Sequence, residues 1–261
     1  MQTNHLADLQ AWFNAYTQSF LAGDPKKDSA HQLKIDHTAR VCENIRLLAT
    51  SLDLPENQMR IAEAVALFHD VGRFEQYKRY GTFNDRKSVN HATLGVEIME
   101  KNGVLADFGD DERKWIVDAV RFHNAPALPS GKPIRELIFL RLIRDADKLD
   151  IWRVFADFYR DDNEPETAIV QHLPDRPEWS PSIVEDIVNR RMARFSHMKT
   201  LNDFKLLQLS WVFDLNFPET FVLARQRGDL SHIAGILPDA PDLNRAVDVV
   251  MGEIEARGKR A

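Results

Sequence analysis

Residues 66–73, Ala66-Leu67-Phe68-His69-Asp70-Val71-Gly72-Arg73, set the tightest condition on how this chain folds. An apolar run of helical spacing ends in an adjacent imidazole and carboxylate, and Gly72 reads as its stop. A buried carboxylate beside a buried imidazole costs on the order of several kcal/mol unless a charged group lies between them. A metal ion is the most economical such group. Further His and Asp residues should then face the same interior, and His37, His91, His123 and Asp147 qualify.

Each of these four continues an apolar stripe on a predicted helix. In a helix running to about Leu52 and capped by Asp28 or Ser29, Leu33, His37, Val41, Ile45 and Leu48 share a face. Pro55 suits the first turn of the next helix, which carries Ala62, Val65, Ala66 and His69 on one side. Ser88 is the expected cap of a helix aligning His91, Leu94, Gly95 and Ile98, closed by Asn102-Gly103. A helix from Asp110 or Asp111 presents Ile116, Ala119, Val120 and His123. Another from Ile134 to about Asp150 groups Leu137, Leu140, Ile143 and Asp147, and helix is expected to continue from Ile151 to Tyr159.

The remaining segments fill out an all-α chain. Residues 5–22 form an amphipathic helix ended by Gly23-Asp24-Pro25. Residues 73–88 mix Arg73, Lys78, Arg79, Arg86 and Lys87 with Phe74, Tyr77, Tyr80 and Phe83 without a clean period, and read as a loop holding short helical turns. Residues 124–133 read as a turn, and 161–181 as a polar connection. Helices are expected at 182–195, 201–214, 217–227 and 241–257, with a basic tail after Arg257. The domain reading is a metal-binding helical core over 1–160 and a helical extension over 161–261 packed on it, the alternative being one single domain.

Composition removes other classes. A net charge of -6 gives no general nucleic-acid or membrane surface. The single cysteine, Cys42, excludes an internal disulfide framework and fits a reducing compartment. No run approaches the roughly 18 apolar residues of a membrane span. Met1 to Asp8 lacks the pattern of a signal peptide, so the expectation is a cytoplasmic protein.

His37, His69, Asp70, His91, His123 and Asp147 supply four imidazoles and two carboxylates. That donor set suits divalent first-row metals such as Fe, Mn, Co, Ni or Zn. It exceeds what one tetrahedral site needs and suffices for two metals about 3.5–4 Å apart, an arrangement able to clamp an in-line displacement at phosphorus. Packing alone explains six such residues poorly, because each would need its own buried partner. His5, His31, His172, His197 and His232 lack this ordering and read as surface or structural.

The order His37, His69-Asp70, Asp147 resembles the signature of the HD-domain superfamily of metal-dependent phosphohydrolases. His91 and His123 resemble the extra ligands of its two-metal members, and the surroundings Phe68 to Arg73 and Arg144 to Asp150 are similar to the family's. The resemblance covers about residues 30–152. It implies a helical bundle with two metals per chain at its centre: His37, His69, Asp70 and Asp147 on one, with Asp70 bridging to a second completed by His91 and His123. It implies a bridging water, deprotonated by two cations, as nucleophile, and substrate phosphate oxygens at open metal positions.

The expected activity is a phosphomonoesterase or phosphodiesterase acting on a nucleotide or another small phosphorylated metabolite, with Asp70 and Lys148 catalytic. Lys148 reads as a phosphate contact or proton donor, or equally as a solvent-facing helix C-terminal lysine. Arg73, Lys78, Arg86 and Lys87 are the candidate substrate contacts, in a lid or in a plain solvated loop. Asp145 and Asp150 read as second-layer carboxylates or as surface residues. Two alternatives stay open: a mixed-valent di-iron oxygenase of the same superfamily, cleaving a C–C or C–P bond, and a non-catalytic metal-binding regulatory module. No nucleic-acid polymer or membrane partner is expected, and a homo-oligomer is left open.

Overall fold

The computed structural model describes residues 5–131, 134–160 and 173–259. All regular secondary structure among these residues is α- or 3-10-helical. His172, the connection up to residue 172, Pro133 at the close of the expected turn and the last two residues of the basic tail lie outside the described residues. Contacts divide the chain into two compact units, Met1–Asp147 and Lys148–Ala261.

In the first unit, α1 (His5–Gln18) is shorter than its apolar pattern, and its last turn tightens into i to i-3 bonds from Ser19 to Leu21. The start of α2 (Pro25–Ser51) differs from the expected caps at Asp28 or Ser29. Asp24 is the cap, its side chain accepting from the Lys26 N–H, and Pro25 occupies the first turn, where its missing donor costs nothing. The Asp28 carboxylate reaches back to the N–H groups of Ala22, Gly23 and Asp24 and closes the α1–α2 turn.

α3 (Glu56–Phe68) is the buried spine of this unit. Ile61, Ala62 and Ala64 to Phe68 are inaccessible on every side of its second half, and it packs against α1, α2 and α6 (Asp110–Phe122). Gly72 does not merely stop this helix. After a turn at 69–71 it opens α4 (Gly72–Tyr80), where the sequence reading expected a loop. Basic residues interleaved with aromatics hide the helical period there, but Phe74 and Gln76 are buried and Gly81, with φ 63°, ends the helix. The 3-10 turn Asp85–Lys87 follows. α5 (His91–Lys101) is capped by Asn90 rather than Ser88, its side chain accepting from the Thr93 N–H. α7 (Ile134–Arg160) contributes its residues through Asp147 to the first unit and the rest to the second; Asn44 Nδ2 on α2 donates to the Ala146 carbonyl at 2.9 Å.

The second unit adds α8 (Pro181–Val188), α9 (Leu201–Ser210), α10 (Pro218–Arg227), α11 (Asp229–Gly235) and α12 (Pro241–Arg257). α12 packs on α8 and α10, and α9 on α8 and α11. The expected helix 182–195 stops at Val188, because the chain turns through Arg190 at φ 55°. The expected helix 201–214 becomes 3-10 from Trp211. The short α11 carries too few residues for a legible period. Buried Asp203 accepts from the backbone N–H groups of Ser180, Lys199 and Thr200 and from the Ser180 hydroxyl, tying the starts of α8 and α9. Trp152 on α7 donates from Nε1 to the Gln208 carbonyl. Among the described residues, no helix is long and apolar enough to cross a membrane.

The approach of α4 to α5 depends on a missing side chain. A Cβ at Gly72 would meet the His91 carbonyl oxygen at 2.1 Å and the Gly95 nitrogen at 2.7 Å, whereas a Cβ at Gly95 would meet the Val71 Cγ1 at 3.3 Å. Backbone cannot yield as a flexible side-chain tip can, so overpacking here costs about 3 kcal/mol. Gly72→Ala is expected to lower the free energy of unfolding, read from urea denaturation, by that amount and Gly95→Ala by less than half of it. Equal midpoints would show that the two helices separate freely.

Candidate metal centre

Three helices and the two turns that follow α3 and α6 bring the polar groups of the first unit together. His37 lies on α2, His69 and Asp70 just past α3, His91 at the first position of α5, His123 at the end of α6, and Asp147 on α7. His69 is fully buried, and His37, Asp70, His91 and His123 are nearly so.

They form two clusters that share one carboxylate. In the first, His37 Nε2 lies 3.2 Å from His69 Nε2 and 3.1 Å from Asp147 Oδ1. Asp70 Oδ2 is 3.6 Å from His37 Nε2 and 3.7 Å from His69 Nε2. In the second, His91 Nε2 lies 3.1 Å from His123 Nε2, and Asp70 Oδ1 is 3.2 and 3.8 Å from these two nitrogens. Thus one oxygen of Asp70 faces each pair of imidazoles. His37, His69 and Asp70 could hold one metal ion, and Asp70, His91 and His123 another.

The hydrogen bonds on the far side of the rings decide what the near side offers. His69 Nδ1 donates to the Ala66 carbonyl and His123 Nδ1 to the Val120 carbonyl, each at 2.7 Å. A carbonyl only accepts, so the proton is on Nδ1 and, in the neutral ring, Nε2 presents a lone pair. Burial favours the neutral ring at both positions. It lowers the His69 pKa, and at His123, with the neighbouring His91 and His69, it lowers the value to about 3. His91 Nδ1 meets the Asp85 carboxylate at 2.7 Å, so this ring too turns Nε2 inward.

The carboxylates are ionised. Burial works to raise the Asp70 pKa, but Lys34, His69, Arg73 and His91 together hold it well below the usual range. At Asp147 burial also opposes ionisation, and His37 and His69 overcome it. Lone pairs and anionic oxygens therefore converge on one another at 3.1–3.8 Å. A proton relieves one such contact at a time, whereas a divalent cation in each cluster relieves all of them, so the donor set fits divalent metals.

Several residues that hold this arrangement were not singled out from the sequence. Lys34, one helical turn before His37, places its ammonium 2.6 Å from Asp70 Oδ2. Asp85 is a hub: it accepts from His91, from Arg73 Nη1 and Gln76 Nε2 at 2.9 Å, and from Asn124 Nδ2 at 3.1 Å. The spacing of Lys34 from His37 was a legible signal. Asp85 carried none, because it sits in a stretch read as a basic loop.

Among the candidate substrate contacts, Arg73 is at the centre, 3.4 Å through Nε from Asp70 Oδ1, with Nη1 also bound to the Phe83 carbonyl. Lys78 is exposed on α4 with its ammonium over the Phe20 ring, and Arg86 and Lys87 are exposed on the 3-10 turn. Lys148 is buried and pairs with Asp214 at 2.7 Å. Asp145 and Asp150 are buried, which removes their surface reading. His31 is structural: its ring stacks on Phe74 and its Nε2 bonds the Phe74 carbonyl.

Residues 35–152 match the family model described as HD domain. No curated protein and no solved structure matches the chain.

Two outcomes follow from the geometry. His123, neutral in the folded protein but free to protonate near its ordinary value of 6.5 once unfolded, contributes stability that is lost as pH falls from about 6.5 towards 3. Asp70 and Asp147, depressed in the fold, add a further loss below about pH 4. Metal-stripped protein should therefore show a lower denaturation midpoint at pH 5 than at pH 7, with a smaller drop in His123→Gln; an equal drop would refute the buried neutral ring. Asp85→Asn should weaken divalent-metal affinity of the His91–His123 cluster by about 10–100-fold and leave the other cluster unchanged in a calorimetric titration.

Proposed function

We propose that the chain is a metal-dependent phosphohydrolase acting on a small phosphorylated metabolite such as a nucleotide, a reading supported by the match of residues 35–152 to the HD-domain family model. The observation that carries the reading is the placement of Asp70, whose two oxygens each face a separate pair of imidazoles. The family's bias towards metal-dependent hydrolysis supports it. We infer two divalent metals per chain, one on His37, His69, Asp70 and Asp147 and one on Asp70, His91 and His123. Bound there, they would supply Lewis acidity at phosphorus and an activated water.

The chain's own part is preorganisation. The carbonyls of Ala66 and Val120 and the Asp85 carboxylate fix three rings with Nε2 inward, so none of these three rings has to turn when metal or substrate arrives. Asp70 stays anionic because Lys34 and Arg73 flank its two oxygens. The buried wall of α3 excludes water from behind His69.

Protein loaded with Mn²⁺ or Fe²⁺ should carry two metals per chain and release inorganic phosphate from members of a panel of phosphomonoesters and phosphodiesters. Asp70→Ala should drop both metal content and turnover below detection while far-UV helicity persists. Fully loaded protein that hydrolyses nothing on the panel, or that instead consumes O₂ from a mixed-valent iron pair, would overturn the proposal.

A further inference from the structure

We propose that Lys34 is the substrate-binding residue of this centre, giving up its hydrogen bond to Asp70 to hold the phosphoryl group of an incoming ligand. The inference rests on the metal-dependent reading above and adds to it which side chain meets the phosphate.

Exposure locates the open side of the centre. The side chains of His37, His69, Asp70, His91 and His123 are at most 4% accessible, whereas Asp147, Lys34 and Arg73 reach 19%, 17% and 16%. Solvent, and any ligand dissolved in it, meets the centre past these three residues. Asp147 repels an anion; Lys34 and Arg73 attract one.

The two cations at Asp70 are differently committed. Arg73 Nη1 is bound to the Gln76 amide oxygen, the Phe83 carbonyl and Asp85, an arrangement that fixes the turn and leaves its guanidinium built into the fold. Lys34 Nζ has one hydrogen-bond partner among the described residues, Asp70 Oδ2 at 2.6 Å, and the Phe83 ring 5.5 Å away. An ammonium carries three donors, so two are unspent. Its long unbranched stem lets it move while α2 stays still.

Charge supplies the direction of the exchange. Were both clusters to hold divalent cations, the attraction of Lys34 to Asp70 would be offset by the positive charge beside that carboxylate. A phosphoryl group at the open side restores an anionic partner, within reach of the same ammonium. The Phe83 ring, 5.5 Å from the ammonium, offers it a weak electrostatic partner while the exchange takes place.

The probe is inorganic phosphate, titrated calorimetrically into Mn²⁺-loaded full-length protein. Lys34→Met is expected to keep both metals and weaken phosphate binding at least tenfold, and Lys34→Arg to restore most of the affinity. A variant-free measurement accompanies it: phosphate, but not chloride at equal ionic strength, should protect Lys34 of the metal-loaded wild type from reductive methylation read by mass spectrometry. Unchanged affinity in Lys34→Met, absence of protection, or loss of bound metal in Lys34→Met would overturn the assignment, the last by making Lys34 a support of Asp70. Phosphate binding that depends on Lys34 in a protein that turns over no phosphoester would remove the hydrolase reading and uphold this one. Phosphoester turnover indifferent to Lys34→Met would do the reverse.

Discussion

Asp70 carries a negative charge where only 4% of its side chain reaches solvent, and it does so with four imidazoles gathered around it. No water can screen that charge, so each neighbour must answer for it. Lys34 and Arg73 do so from outside the clusters; inside, the rings turn lone pairs towards the same oxygens. The helices that supply these groups are arranged by this demand as much as by their apolar faces. α3 delivers the carboxylate at its end, α2 and α7 close over one oxygen, and α5 and α6 over the other.

The apolar packing makes the demand tolerable. α3 is packed on by α1, α2 and α6, and the residues of its second half are buried apart from Glu63. Aromatic rings from α1 and α4, including Phe13 and Phe74 in edge contact, extend that packing. A rigid, close-packed wall lets three imidazoles keep a single orientation without being held by the ion they would serve. Ring orientation comes instead from two carbonyls and one carboxylate, all belonging to the chain itself.

Much of this was written in periodicity. His37, His69, His91 and His123 continue apolar stripes, and a helix converts such a stripe into one face, so four imidazoles could be assigned to the interior from spacing alone. Asp147 followed from the same rule. What escaped did so for definite reasons. Gly72 read as a terminator because glycine commonly ends helices; here its role is to admit the His91 carbonyl, a tertiary contact with no local signature. α4 escaped because its buried residues are few and its basic ones many. The caps Asp24 and Asn90 were displaced by a few residues from the ones expected, since several side chains near each start were chemically able to cap. Asp85 escaped because a loop gives its residues no face, and only three-dimensional proximity reveals its part. The resemblance to the HD-domain family was legible in the ligand order, and the match over residues 35–152 agrees with it.

The hub at Asp85 has a consequence of its own. One carboxylate serves His91 on one side and Arg73, Gln76 and Asn124 on the others. Positive charge arriving at His91 Nε2 makes the opposite N–H a stronger donor, which draws electron density from the oxygen that the other three compete for. The stretch between α4 and α5 is thus wired to the charge state of a ring it does not contain. By reciprocity, whatever rearranges that stretch also retunes the basicity of the imidazole, so an outer segment of the polypeptide acts as a rheostat on the interior.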